Sequence, residues 1–186
     1  QLASSEAVLS ADEKELGVCL VDIGGGTTDI AIFCDGAIKY TSVLSLGGNH
    51  LTNDIAVGLR TPMAEAEKIK RNQGCCLSAL VGKDEKIEVP SVGGRKPREL
   101  SRNVLCEILG PRVEELFTLV NREIIKSGLE DSIASGVVIT GGSSILEGMP
   151  ELAEQIFNLP VRRGLPQRIG GLTDVVNSPV YSTGVG

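Results

Sequence analysis

Three consecutive glycines, Gly24, Gly25 and Gly26, separate two apolar runs, residues 16–23 and 29–33, and the first run carries an acid, Asp22, near its end. Consecutive glycines at a tight turn can aim several backbone N–H groups at one point, and such a nest holds phosphate oxygens without a lysine. Thr27 and Thr28 add hydroxyl donors. A bare carboxylate at Asp22 would repel phosphates, so its position suits that chemistry only with a divalent cation between, Mg²⁺ with several waters being the natural choice. The same residues also suit a plain sharp turn capped by Asp22, and alone they do not decide between the two.

Two further groups bear on the choice. Gly141, Gly142 and Ser143 follow the apolar run 136–140 and open a helical pattern, an arrangement that lets backbone approach a flat ligand or a phosphate. Glu67 and Lys70 stand three apart on a predicted helix and so share a face. They form either a solvated ion pair or, if that helix faces a cleft, a site in which Glu67 accepts ribose hydroxyls and Lys70 lies against base or ribose.

The elements that must position these residues can be read from turn chemistry and periodicity. Residues 16–23 suit a buried strand, 29–33 a second, and Asp35-Gly36 is a two-residue hairpin turn into a third over 37–46. The glycines therefore lie at a hairpin tip, which excludes the strand-to-helix loops of Rossmann and Walker type. Leu51, Ile55 and Leu59 mark a short helix, and Thr61-Pro62 starts another that ends near Gly74, with Thr61 as its N-cap. Residues 75–92 read as a small hairpin around the charged turn 82–85. Beyond the Gly93-Gly94 break, Leu100, Val104, Leu105 and Ile108 begin a helix expected to kink or break at Gly110-Pro111 and to end near Gly128. A strand over 136–140, the helix carrying Leu146 to Phe157, a short strand near 160–162 and a helix start at Ser178-Pro179 follow.

Composition narrows the function classes. Three Phe, two Tyr, no Trp and a net charge of −6 argue against nucleic acid as a partner. Residues 62–131 carry 12 basic and 12 acidic side chains, so the remaining 6 basic and 12 acidic ones hold the whole net charge; the middle is a unit with its own surface character. The expected organisation is a lead-in or linker over 1–14, a larger unit built from 15–61 plus 135–186, and a smaller inserted unit over 62–134. Five cysteines without CxxC spacing fit a reduced, intracellular compartment in which they pack as small hydrophobes. No run approaches the roughly 18 apolar residues of a membrane span. A first residue Gln1 and the abrupt ending at Gly186 read as a piece of a longer protein.

Together the three groups resemble the actin, Hsp70 and sugar-kinase superfamily of ATP-binding folds. Residues 22–29 are similar to its second phosphate loop, 138–148 to its adenosine motif, and 66–70 to its adenine-side helix. Within that superfamily the chain resembles the FtsA family of bacterial cell-division proteins, on Gly47-Gly48-Asn49 with Asp54-Ile55-Ala56, Val81 to Glu85, Val89 to Arg95, Pro111-Arg112 followed by Leu119-Val120-Asn121, and Gly171 to Asp174 with Tyr181-Ser182-Thr183.

The resemblance implies an α/β, actin-like (ribonuclease H-like) ATPase half, a mixed sheet flanked by helices, with a smaller inserted α+β subdomain. It implies ATP and Mg²⁺ as ligands, with Asp22 organising Mg²⁺ through water, and nucleotide contacts from Gly24, Gly25, Gly26, Thr27, Thr28, Glu67, Lys70, Gly141, Gly142 and Ser143. Family members self-associate into actin-like filaments, work with other division proteins at the inner membrane, and recruit FtsZ through its C-terminal tail. That tail is expected on the inserted subdomain, on a basic helix carrying Arg98, Arg102 and Asn103. The family's first half and its membrane-attaching helix are not within this sequence, so the fragment is expected to bind nucleotide weakly and membrane not at all, and any ATPase activity is expected to be weak and to need the missing half. A small-molecule kinase or a chaperone-type ATPase of the same superfamily is the alternative.

Overall fold

The computed structural model describes residues 2–91, 96–166 and 178–185. The Gly93-Gly94 break, Arg95 and the Gly171–Asp174 stretch lie outside the described residues.

Five strands form one mixed sheet in the order β3-β2-β1-β6-β7. Strands β1 (Val18–Ile23), β2 (Thr28–Cys34) and β3 (Ala37–Leu44) are antiparallel neighbours. Strands β6 (Val137–Thr140) and β7 (Val161–Arg163) add in parallel on the other side of β1, with Asp22 opposite Thr140. Strands from the two ends of the sequence therefore share a sheet, as the apolar runs predict. The Asp35-Gly36 turn has positive φ at both positions, 52° and 71°, as a tight hairpin of matching twist requires.

Strand β1 is buried on both faces, which explains its nearly unbroken Val-Cys-Leu-Val run. Cys19, Val21 and Ile23 join the main apolar cluster with α3 (Gly48–Leu59), α5 (Asn103–Ser127) and α6 (Met149–Phe157), where Phe117 and Phe157 meet edge to face at 5.5 Å. Val18 and Leu20 pack on the opposite side against Ala7, Val8 and Leu9. Ala7 and Val8 belong to α1 (Leu2–Val8) and Leu9 follows it; α1 and a second short helix, α2 (Ala11–Leu16), stand where a lead-in is expected. The signal was present: Ser10 and Glu13 form a reciprocal capping box, Glu13 N–H donating to Ser10 Oγ at 3.2 Å and Ser10 N–H to Glu13 Oε2 at 2.8 Å.

The middle of the chain differs from its expected form in three places. Thr61 does not cap α4 (Met63–Gln73); Pro62 takes the N-cap position, and the Thr61 hydroxyl donates to the Pro90 carbonyl at 2.7 Å. The small hairpin pairs β4 (Lys86–Val89) with β5 (Arg98–Ser101), because buried Ile87 and Val89 need a partner strand and Leu100 stands opposite Ile87; residues 78–80 form only a 3₁₀ turn. Helix α5 starts after that strand and runs unbroken through Pro111. Proline inside a helix costs about 3 kcal/mol, but Leu105, Leu109, Val113, Phe117 and Val120 are fully buried on both sides of it, and their packing outweighs that cost.

Candidate functional site

The glycine loop is a hairpin tip closed by Gly24 N–H donating to Thr27 O at 2.9 Å. Its carbonyls dock on the start of α3: Gly48 N–H donates to Gly24 O at 2.9 Å and Asn49 N–H to Gly25 O at 2.7 Å. Docking is close enough that a Cβ at Gly47 would lie 2.7 Å from Gly24 O. The carbonyls of Gly24 and Gly25 are turned to the helix; Gly25 and Gly26 are exposed, and their N–H groups make no backbone hydrogen bond among the described residues, which leaves two donors for an anion. Thr28 is corrected: it faces the core, fully buried, and its hydroxyl donates to Leu46 O at 2.8 Å, so it has no donor for a phosphate. Thr27 is exposed and its hydroxyl points at Asp29 Oδ2, 3.4 Å away.

The second loop meets the first. Ser143 Oγ donates to Gly24 O at 3.2 Å, and Gly141, at φ +85°, lies so close to β1 that a Cβ there would be 2.5 Å from both Asp22 Oδ1 and Ile23 O. Only glycine fits that approach. Asp22 sits behind this contact on the α1 side of the sheet, accepting from Ser4 Oγ at 2.6 Å, and it faces its cross-strand partner Asp29. The walls beside the loops form a cleft of about 610 Å³ that includes Gly24, Gly25, Gly142 and Ser143; Asp22, Gly26, Thr27, Thr28 and Gly141 are not part of its lining among the described residues.

Helix α4 brings Glu67 and Lys70 to the same cleft, so they are not a pair on an outer face. Lys70 is not free to touch a ligand: its three ammonium hydrogens are taken by Gly48 O at 2.9 Å, Thr52 Oγ1 at 2.7 Å and Glu67 Oε2 at 2.8 Å, and its side chain is 11% exposed. Glu67 is 42% exposed. Burial alone would raise its pKa, but hydrogen bonds from Lys70 and Thr52 and the charges of Lys70 and Arg71 outweigh that and hold the carboxyl below its ordinary value.

The three residues expected on one basic helix are divided. Arg98 lies on strand β5, exposed, with its guanidinium on Leu59 O; Arg102 is the N-cap of α5 and Asn103 its first residue. Arg102 turns into the cleft wall, donating to Gln73 O at 2.9 Å and to Glu85 at 2.8 Å and pairing with Glu147. It joins the end of α4, the loop before β4 and the loop before α6. Asn103 is half-buried, and its Oδ1 is buried with no hydrogen-bond partner among the described residues.

Among the lining residues, Asn72 has no signal in the sequence, whereas Gly48 and Asn49 belong to the Gly-Gly-Asn break and Ile145, Leu146 and Glu147 to the adenosine-like stretch 138–148; nothing local marks them all as one surface. With the glycine loops and Glu67 they give the cleft backbone donors, carboxylates and apolar surface from Ile145 and Leu146, a combination suited to a phosphorylated ligand with a flat ring. No group of three or more His, Cys, Asp or Glu side chains forms a metal cage among the described residues. Asp22 and its cross-strand partner Asp29 are the carboxylates next to the first glycine loop, and a cation that keeps its waters would draw on their charge.

Comparison with known proteins adds ancestry to this geometry. The family model described as "Cell division protein FtsA" matches residues 19–186. The cell division protein FtsA of Pseudomonas aeruginosa is 61% identical over the whole chain, and that of Escherichia coli K12 is 50% identical over 192 aligned residues. The chain spans about half the length of these curated relatives, 45% and 46%. Among solved structures, MreB5 of Spiroplasma citri bound to ADP superposes with a TM-score of 0.76 at 21% identity, covering 97% of this chain and 55% of that one. The ethanolamine utilization protein EutJ of Carboxydothermus hydrogenoformans gives 0.67 at 22% identity, covering 98% and 50%. The fold is actin-like.

Proposed function

The chain belongs to the FtsA family of cell-division proteins, and we propose that it forms one wall of the ATP site of an actin-like division protein. The observation that carries this is the convergence of two glycine loops and the Glu67–Lys70 pair on one cleft, from segments more than a hundred residues apart in sequence. Support for the ligand class comes from the fold neighbours, since MreB5 has been solved with ADP and with AMPPNP. The N–H of Gly25, in the cleft, and that of exposed Gly26 beside it hold phosphate oxygens, Glu67 accepts ribose hydroxyls, and Ile145 and Leu146 offer apolar surface to the base. Mg²⁺, when bound, would neutralise phosphate charge, and Asp22 is the residue that would hold it through water. The match across residues 19–186 to a division-protein family favours this reading over a small-molecule kinase or a chaperone ATPase.

The whole protein's partners follow as further parts of the proposal. It self-associates in actin-like fashion and works with other division proteins, FtsZ among them, on the cytoplasmic face of the inner membrane. The larger unit, 15–61 plus 135–186, carries the phosphate loops, while the inserted unit, 62–134, contributes Glu67 to the ribose and carries the FtsZ tail at the exposed Arg98 and at Asn103, with Arg102 as an internal strut. No described helix is long and apolar enough to cross a membrane.

The test is calorimetric titration of ATP into the full-length protein and into this chain alone. Mg·ATP binding by the full protein, with binding by the isolated chain much weaker, supports a site shared between two halves. Micromolar binding by the isolated chain contradicts the shared site, and no binding by the full protein contradicts the nucleotide reading.

A further inference from the structure

We propose that Thr52, a residue of α3 with no role in the reading above, positions Glu67 so that the site selects ribonucleotides over deoxynucleotides. The inference rests on Glu67 being the ribose acceptor. Thr52 is 4% exposed, yet its hydroxyl stands among polar groups. Oγ1 accepts from Lys70 Nζ at 2.7 Å and lies within hydrogen-bond distance of both Gly48 O, at 3.0 Å, and Glu67 Oε2.

A hydroxyl has one proton to give. The Gly48 carbonyl is already served by Lys70 at 2.9 Å, and a carboxylate is the stronger acceptor, so the Thr52 proton goes to Glu67. Both bonds that Glu67 receives, from Thr52 and from Lys70, therefore fall on Oε2. Oε1 accepts none among the described residues, and Glu67 lines the cleft. Two donors on one oxygen fix the carboxylate plane and leave the other oxygen for the ligand. Lys70 alone would leave the carboxylate free to rotate about a single contact, whereas the short, β-branched Thr52 on a neighbouring helix supplies the second, rigid point. A carboxylate oxygen held in this way suits vicinal hydroxyls, and it loses a charge-assisted bond when either hydroxyl is missing.

The experiment measures affinities of the full-length protein for ADP, 2′-deoxy-ADP and 3′-deoxy-ADP with Mg²⁺ present, in the parent and in Thr52→Val, Thr52→Ser and Glu67→Gln. The parent is expected to prefer ADP by about tenfold, the worth of one hydrogen bond to a charged group. Thr52→Val should bring the preference to within about threefold by weakening ADP more than either deoxy form, which keeps a single hydroxyl for Glu67, and Thr52→Ser should retain the tenfold preference. If Thr52→Val does not fold, Thr52→Ala is read by the same ratio. A full preference in Thr52→Val or Thr52→Ala, with the preference lost in Glu67→Gln, overturns the role of Thr52 and leaves Glu67 as the ribose acceptor. No preference in the parent, or one that survives Glu67→Gln, overturns both.

Discussion

The hydroxyl of Ser143 donates to the carbonyl of Gly24 across 3.2 Å, tying together two glycine loops 119 residues apart in sequence. A Cβ at Gly48 would lie 2.3 Å from that hydroxyl, so alanine there requires the Ser143 side chain to turn away and give up its bond to Gly24. Gly48→Ala should therefore destabilise the fold despite alanine's better helix propensity. Ser143→Ala costs about 1 kcal/mol by itself but removes the clashing oxygen. The two substitutions should couple by about 1 kcal/mol or more in a denaturant double-mutant cycle, the double variant being less damaged than the sum; strict additivity would contradict this packing.

Arg102 should behave as a strut. Its fork reaches Gln73 O, Glu85 and Glu147 at once, and Lys has one point charge where Arg has a planar fork. Arg102→Ala and Arg102→Lys should both lower the melting temperature, whereas Arg98→Ala, on an exposed strand, should leave it within a few degrees. In an FtsZ-tail peptide titration Arg98→Glu should weaken binding. A stable Arg102→Ala with normal nucleotide affinity would remove the strut role.

How far the residues disclosed this arrangement depends on the range of the interactions involved. The β1-β2-β3 meander was legible because turn chemistry and alternation are local, and α3 and α4 were legible from spacing. Strand β5 was not: Leu100 fits a helical period with Val104, and only its partner Ile87, thirteen positions earlier, makes it a strand. The glycine loops and Glu67 were nameable one by one, but the loss of the Thr28 hydroxyl to Leu46 O and of the Lys70 ammonium to α3 are tertiary facts. Arg102 looked like a surface charge because its three partners lie 17 to 45 positions away.

Acid should weaken the fold partly through Glu67 and Glu13. For each, burial would raise the pKa, but hydrogen bonds and charge, from Lys70 and Thr52 at Glu67 and from Arg162 and Ser10 at Glu13, bring it below the ordinary 4.5. A lowered folded value means that the stabilisation is fully present above about pH 4.5 and is lost as pH falls through the folded value. Melting curves from pH 7 to pH 3 should show Glu67→Gln with a shallower acid decline than the parent; an identical decline would remove Glu67 as a contributor.

The cysteines should be inert in the native state. All five are buried, and burial pushes the Cys19 and Cys76 thiols up to about 12 and Cys106 to about 11. At pH 8 they are almost wholly protonated and poor nucleophiles. Mass spectrometry after brief treatment with a thiol reagent should find these three unmodified in the native protein and labelled in denaturant; rapid native labelling would contradict the packing around α4 and α5.

The most direct test of the nucleotide cleft uses Gly142. Among the described residues a Cβ there meets nothing closer than a Val180 methyl at 3.9 Å, and the residue lines the cleft, so a small side chain at this position is expected to enter the ligand space with little strain on the fold. In calorimetric titration of Mg·ATP into the full-length protein, Gly142→Val is expected to weaken binding at least tenfold while the nucleotide-free melting temperature stays within a few degrees of the parent. Unchanged affinity in a normally folded Gly142→Val protein would contradict the placement of ATP in this cleft.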